Sequence, residues 1–294
     1  MAVGAGIDIA FQTLYSELVQ RTLDHSFASD FSLQGRFVCV SVKNREYWYF
    51  DTPSSTQPHP QRRYVGPVED PEITRRVEAF KDLKADFVGR RRLVSTLVRE
   101  AGLPRPPLIT GQVVEQLAKA GFFRMCGVLI GTVAYGCYSA VLARHVNAAA
   151  MQTGDIDFAQ FREISAAVGD TIPPILDVLR QVDPTFREIP NQTDGRASTK
   201  FMSRDRFTVE FLTPNRGSSD QDGRPVAMPA LGGASAYSLR FPDFLTCRPM
   251  RAALLHGAGI PVLVCDTGPI CGAHAHRGIE TQPMSRCNGK KRCP

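Results

Sequence analysis

Three acidic side chains stand in a pattern that predicts a magnesium site. Asp155 and Asp157 flank Ile156, and Glu210 is the single acid in the apolar segment Phe207 to Leu212. On a β-strand, alternate residues share a face, so Asp155 and Asp157 would emerge together while Ile156 faces the core. Glu210 alternates in the same way with its apolar neighbours. Three carboxylates from two strands supply the hard oxygen ligands that Mg²⁺ prefers.

A small-residue turn precedes these acids. Gly131-Thr132 follows an apolar segment, Phe122 to Ile130, that we predict to be a strand, and it begins a predicted helix that runs to about Arg144. The unpaired N–H groups and the dipole at a helix N-terminus favour anions. Glycine permits close approach, and Thr132 offers a hydroxyl donor. The turn is therefore suited to hold a triphosphate beside a pair of metal ions about 3.5–4 Å apart.

The order of these features is more specific than any one of them. A small-residue turn, a helix, an Asp-hydrophobic-Asp strand and a hydrophobic-acid-hydrophobic strand follow one another between about residues 108 and 264. That order resembles the DNA polymerase beta-like nucleotidyltransferase superfamily. Four segments are also similar to a bacterial group of nucleotidyltransferase-domain proteins. They are Tyr64-Val65-Gly66-Pro67, Leu129-Ile130-Gly131-Thr132, Asp155-Ile156-Asp157 and Leu212-Thr213-Pro214-Asn215-Arg216-Gly217.

The resemblance implies an α+β nucleotidyltransferase fold, in which helices flank a mixed sheet. It implies transfer of a nucleoside monophosphate from a nucleoside triphosphate, such as ATP, to a hydroxyl of a nucleic acid, a protein or a small molecule. The implied cofactor is a pair of Mg²⁺ ions. Asp155, Asp157 and Glu210 would be the catalytic metal ligands, with Glu210 nearer the acceptor. Gly131, Thr132 and Arg216 would bind the nucleotide, and a loop-capping role for Arg216 is an equal alternative.

Two features depart from the superfamily pattern. The spacing from Thr132 to Asp155 exceeds that of the compact members, so the intervening loop either carries specificity or weakens the match. Thr132 stands where serine or glycine is commoner.

A binding role without catalysis is the alternative function. Arg36 to Val42 and Glu46 to Phe50 predict a hairpin, with a third strand at Arg62 to Pro67. Its interleaved basic and aromatic residues suit nucleic acid, and they equally suit a hairpin that covers a core. The net charge of +6 adds little, because half of it lies within residues 265–294. A metal-dependent phosphohydrolase is a third reading of the same acids.

The chain divides at a proline-rich segment. Pro104, Pro106 and Pro107 separate a helical and hairpin region, residues 1–103, from the predicted catalytic domain, residues 108–264. In the first region we expect a helix from Ile9 to about Leu23 and another that begins after Asp70. In the second we expect helices from Gly111 to Ala120 and around Ile175 to Val182. The apolar stretch from Leu254 to Val264 should end as a strand.

The N-terminus, an uncharged apolar stretch and the cysteines indicate the location of the protein and the redox state of its thiols. The N-terminus has no basic region of the signal-peptide type, so we expect a cytoplasmic protein with no membrane partner. The uncharged stretch from Met125 to Ala143 is diluted by glycine and polar residues, which favours a strand, a turn and a helix over a membrane span. Cys39, Cys126, Cys137 and Cys247 are predicted to be reduced core thiols.

The last thirty residues differ from the rest of the chain. Residues 265–294 lack Leu, Val, Phe, Tyr and Trp, which is typical of disorder. Their cysteines are spaced too widely for a typical zinc site. Related proteins continue after a segment like His256 to Val262 with a helix that Gly268 to Glu280 can encode when read one base later. A frameshift near Cys265 is therefore a second explanation of the tail.

Overall fold

The chain builds one small sheet, one large sheet and several helices. The computed structural model describes residues 5–25, 35–42, 45–52, 61–146, 154–162, 165, 171–191, 194–195, 197–215, 224–240 and 248–265. The helices among them are α1 (Ile9–His25), α2 (Pro71–Arg99), α3 (Leu108–Ala120), α4 (Gly131–Val141) and α5 (Ile175–Arg180).

The first sheet confirms the predicted hairpin and its third strand. It consists of β1 (Arg36–Val42), β2 (Arg45–Thr52) and β3 (Gln61–Pro67), in that order, and both pairings are antiparallel. Phe37 and Phe50 pack edge-on against Phe80 of α2. The indole N–H of Trp48 donates to the Thr74 hydroxyl at 3.0 Å. These contacts favour the explanation of the aromatic hairpin as the cover of a core.

Helix α2 begins as predicted. The backbone N–H of Ile73 donates to the Asp70 carboxylate at 3.3 Å, which satisfies one of the free donors of the first turn. Val77 and Phe80 are buried, and Ile73 and Phe87 are partly buried on the same stripe. Arg90 is buried as well and donates to the Ala258 carbonyl at 3.1 Å, so its guanidinium group has a structural role.

The second sheet is mixed and carries the catalytic candidates. Its main path has the order β11-β12-β4-β5-β8-β10-β9, and a β6–β7 hairpin joins through β7 to β8. Strands β5 and β8 are parallel, whereas β4 is antiparallel to β5 and β7 is antiparallel to β8. This mixed sheet with its helices confirms the predicted α+β class. The strands are β4 (Val128–Ile130), β5 (Asp155–Ala159), β6 (Arg187–Pro190), β7 (Ser198–Met202), β8 (Thr208–Pro214), β9 (Pro225–Ala227), β10 (Ser235–Leu239), β11 (Met250–Leu254) and β12 (Ile260–Val264).

Helices α3, α4 and α5 pack on one face of this sheet. Ile156 and Phe158 of β5 and Phe211 of β8 are buried in the same cluster as Val114 of α3 and Val133 of α4. Burial of this apolar surface is the main stabilising contribution to the domain. The acidic residues of β5 and β8 alternate with these core residues, so they face the opposite side of the sheet.

Helix α1 protects the edge of the large sheet. The Tyr15 hydroxyl donates to the Ala253 carbonyl at 3.2 Å and accepts from the Ala253 N–H at 3.0 Å. Because β11 is the terminal strand of the main path, none of the described strands pairs with these backbone groups. The first region thus contacts the sheet across the predicted boundary, and the division at residues 103–108 stays a prediction.

The strand predicted at Phe122 to Ile130 is wrong over its first six residues. Only Val128–Ile130 is extended. Gly121 ends α3 with φ 96°, Cys126 has φ 61°, and the Phe122 N–H donates to the Leu117 carbonyl. The resulting turns direct Phe122 into the core, so apolar residues that suggest a strand are buried by a compact loop instead. Helix α4 also ends earlier than predicted, at Val141.

The predictions for the cysteines and for the apolar stretch around α4 have different outcomes. Cys137 is buried and free, as predicted, but Cys39 is exposed and Cys126 takes part in a disulfide. Cys247 lies outside the described residues. In the described part of the chain no helix has both the length and the apolar character needed to cross a bilayer.

Candidate active site

Strands β5 and β8 bring two of the three predicted carboxylates side by side. Asp157 is the register partner of Glu210, and Asp155 is the partner of Thr208. Neighbouring strands lie about 4.8 Å apart, and directly paired residues of parallel strands point to the same face. Asp155 is exposed, Asp157 is partly buried, and Ile156 between them is buried, so the predicted alternation holds on β5.

Gly131 brings the start of α4 against the same carboxylate. A Cβ atom at Gly131 would lie 2.9 Å from Oδ2 of Asp157, and Gly131 has φ 70°. Any other residue would both press on this carboxylate and adopt a strained backbone. The structure therefore joins the predicted small-residue turn to the predicted acidic strand. Thr132 is the second residue of α4 and lies partly buried beside the same helix N-terminus.

The electrostatics of Asp157 reflect this crowding. Burial, followed by the charges of Asp155 and Glu210, raises the pKa of Asp157 from 3.8 to about 6, and Lys200 acts in the opposite direction. A desolvated carboxylate beside two like charges resists ionisation. The three carboxylates of the site thus carry more negative charge than Lys200 neutralises. A bound divalent cation would balance this excess.

Lys200 is a site residue that the sequence analysis missed. It lies on β7 as the register partner of Glu210, and its Nζ is 3.6 Å from Oε2 of Glu210. The alternation of Lys200 with buried Thr199 and Phe201 was a usable signal. It was missed because the segment from Ser198 to Met202 was not assigned to a strand.

The carboxylates do not form a finished metal site as they stand. Among the residues that the structure describes, no group of three or more His, Cys, Asp or Glu side chains is gathered closely enough to hold a metal ion. The Glu210 carboxylate instead pairs with Lys200. The donor chemistry and the charge fit Mg²⁺, and gathering the three groups requires side-chain rotation on a backbone that already places Asp157 beside Glu210.

An open cleft lies at the end of the sheet where β5 begins. It encloses about 920 Å³ of space that includes open solvent, and its lining includes Gly154, Arg206 and Phe207 together with Leu108 of α3. Gly154 immediately precedes Asp155, but none of the three candidate carboxylates lines this cleft.

Some predicted functional residues lie outside the described part of the chain. They are Arg216, with most of the loop that follows β8, and the tail from residue 266 onward, including its histidines and cysteines. Their predicted roles stay predictions.

Comparison with known proteins assigns the second part of the chain to a known family. Residues 109–277, more than half of the 294 residues, match a protein family described as nucleotidyltransferase. The match starts at the beginning of α3 and includes every strand of the large sheet. No curated protein and no solved structure gives a significant match to the chain.

Proposed function

Because the chain belongs to the nucleotidyltransferase family, we propose that it transfers a nucleoside monophosphate from a nucleoside triphosphate to an acceptor hydroxyl, with two Mg²⁺ ions as cofactor. The observation that carries this proposal is the position of Asp157. This carboxylate lies between the N-terminus of α4 and Glu210, and like charges surround it. An anion-binding helix end and an oxygen-ligand site thus meet at one point.

The residues divide the work of the reaction. Asp155, Asp157 and Glu210 would hold the ions, and Glu210, on the acceptor side, would accept the hydroxyl proton. Two magnesium ions, when bound, activate the acceptor oxygen and neutralise the leaving pyrophosphate. The first N–H groups of α4 and the Thr132 hydroxyl bind the triphosphate, with close approach permitted by Gly131. Arg216 is a further proposed triphosphate contact.

The substrates are proposed only by class. ATP is one candidate donor, and a nucleic acid, a protein or a small molecule can supply the hydroxyl. A cytoplasmic protein would meet all of these.

A catalytically inactive binding protein of the same fold is the competing function. The observation in its favour is the ion pair between Glu210 and Lys200, which leaves the three acids short of a gathered site. Such a protein would bind RNA or DNA with a steep salt dependence. Its binding would be unchanged by Asp155→Ala and Asp157→Ala.

Labelling with radioactive triphosphates tests the proposal directly. The purified protein is incubated with each α-labelled triphosphate, Mg²⁺ and cell extract, next to the Asp157→Ala variant. A labelled macromolecule or metabolite that forms only with the wild type supports transfer and identifies the acceptor class. Release of free phosphate without any labelled acceptor would indicate a phosphohydrolase.

We also propose that the reading frame changes near Cys265, which would replace a C-terminal helix by the present tail. Support comes from the composition of residues 265–294 and from the fact that suitable codons for Gly268 to Glu280 would encode such a helix one base later. The family match continues through residue 277 and so adds nothing in its favour. Resequencing of the locus tests this idea, and an intact frame that encodes the present tail ends it.

A further inference from the structure

Four side chains form a row across the acidic face of the sheet. Ile130 pairs with Asp157, Asp157 with Glu210, and Glu210 with Lys200. The strand order β4-β5-β8-β7 therefore sets the helix N-terminus at one end of the row and an ammonium group at the other. The two carboxylates lie between them.

We propose that Lys200 is the acceptor-side cation of the transfer reaction. Its ammonium group pairs with Glu210 in the structure, and it would turn toward the acceptor once the Glu210 carboxylate held a metal ion. This inference rests on the proposed function. It assigns to Lys200 a direct contact with the reacting acceptor group, and it predicts an acceptor that carries a negative charge close to its hydroxyl.

The direction of the reaction follows from the row. The leaving pyrophosphate and the attacking oxygen lie on opposite sides of the α-phosphorus in an in-line displacement. In the proposed function the triphosphate would bind at the α4 end, where Gly131 lies against Asp157. The acceptor must therefore approach from the opposite end, where β7 places Lys200 next to Glu210.

The ion pair itself gives little stability. The Lys200 side chain is 40% exposed, and that of Glu210 is 27% exposed, at an Nζ–Oε2 distance of 3.6 Å. Exposed pairs of this kind add little to stability, because water screens the two charges. Lysine is a compact charge on a flexible stem, so its ammonium group can move from Glu210 to a neighbouring anion.

The bond changes leave Lys200 unaltered. The acceptor O–H bond breaks and its proton passes to Glu210, while a new bond forms between that oxygen and the α-phosphorus. The bond between the α-phosphorus and the pyrophosphate oxygen breaks, and pyrophosphate leaves with its electron pair. Lys200 keeps its protons throughout and stabilises the negative charge that develops on the acceptor side.

Titration with Mn²⁺, followed by the EPR signal of the free ion, tests the competition for Glu210. Lys200→Met should bind Mn²⁺ about threefold to tenfold more tightly than the wild type, because no ammonium group then competes or repels. The matched control is Lys119→Met, since Lys119 also pairs with a glutamate, Glu115, at 2.8 Å. Its affinity should equal that of the wild type. Unchanged or weaker binding by Lys200→Met would overturn the assignment.

The Asp157→Ala variant separates the two proposals in the same titration. If it binds Mn²⁺ as well as the wild type, the metal site of the proposed function is overturned and the role of Lys200 falls with it. If it loses Mn²⁺ while Lys200→Met gains no affinity, only the role of Lys200 is overturned.

Kinetics give a second readout. With labelled ATP and extract as the source of acceptor, Lys200→Met should lower the maximal labelling rate about 100-fold while the apparent KM for ATP changes less than about twofold. Lys200→Arg keeps the charge and should recover most of the rate. A rise in the KM for ATP with an unchanged maximal rate would contradict an acceptor-side position.

Discussion

Two aspartates, one in each sheet, have opposite electrostatic surroundings. Asp51 of β2 is buried and receives two hydrogen bonds from Arg62, at 2.6 and 2.8 Å, and this pairing lowers its pKa. Asp157 of β5 has no such partner among its described contacts, and burial with neighbouring acids raises its pKa to about 6. A satisfied carboxylate holds strands together, whereas a crowded one is ready for a cation.

Removal of Asp157 should give the largest effect. We expect Asp157→Ala to lower nucleotidyl transfer by at least about 1,000-fold, because it removes a ligand of both metal ions. Its melting temperature should not fall, since the substitution also relieves repulsion. Rates and thermal unfolding of the same preparation check both statements. An active Asp157→Ala protein would rule out the proposed site.

A methyl group at Gly131 should have the next largest effect. Gly131→Ala should lower transfer about 10- to 100-fold and reduce the free energy of unfolding by about 1–2 kcal/mol, since it presses on Asp157 and strains a positive φ. Steady-state rates and chemical denaturation measure the two losses. Gly154→Ala is the control, because an added Cβ there meets nothing within 4 Å. Equal losses in both variants would show that the contact with Asp157 does not matter.

Substitution of Asp51 should have the opposite profile to that of Asp157. Asp51→Asn breaks a charged pair with Arg62, and we expect a small but measurable loss in the free energy of unfolding, because Arg62 is 48% exposed and water screens the pair. Mn²⁺ affinity should be unchanged. Denaturation with urea and the EPR titration give both values. Weaker Mn²⁺ binding by Asp51→Asn would remove the distinction between the two acids.

The pH dependence of stability should show the smallest effect. The pKa of Asp157 is about 6 in the folded state and 3.8 as a free side chain. The contribution of this carboxyl group to the stability of the fold is therefore fully present below pH 3.8, and it is lost as pH rises through about 6. The Asp157→Asn side chain does not titrate. Between pH 3.8 and about 6 the free energy of unfolding of this variant should therefore rise relative to that of the wild type, by on the order of 1 kcal/mol for a partly exposed group.

Magnesium provides the control for the pH series. Millimolar Mg²⁺ should abolish the difference between the wild type and Asp157→Asn above pH 6, because a bound cation stabilises the ionised carboxylate. Thermal unfolding at several pH values, with and without Mg²⁺, makes the measurement. A gap that Mg²⁺ leaves unchanged would argue against a metal at Asp157.

The elements that could be predicted are those with strong local signals. Asp70 before Pro71 marked the start of α2, Gly121 marked the end of α3, and the alternation in Asp155 to Ala159 defined β5. The segment from Phe122 to Gly127 misled the analysis because its apolar residues suit a strand as well as a buried turn. The strands β6, β7, β9, β10 and β11 were missed. Strands β6 and β9 have four and three residues and bury none of them, whereas β7 alternates regularly and its signal was overlooked.

The candidate site likewise has some features set by local sequence and others set by tertiary packing. That Asp155 and Asp157 share a face follows from the alternation of side chains along one strand, which is a property of the local backbone. That Asp157 lies beside Glu210, and Glu210 beside Lys200, depends on the register of strands far apart in the chain. Register is set by which residues the whole core buries. The order of residues along the chain was therefore enough to predict the acids and the helix N-terminus. The packing of the sheet determined which residues lie beside them, including the ammonium group of Lys200.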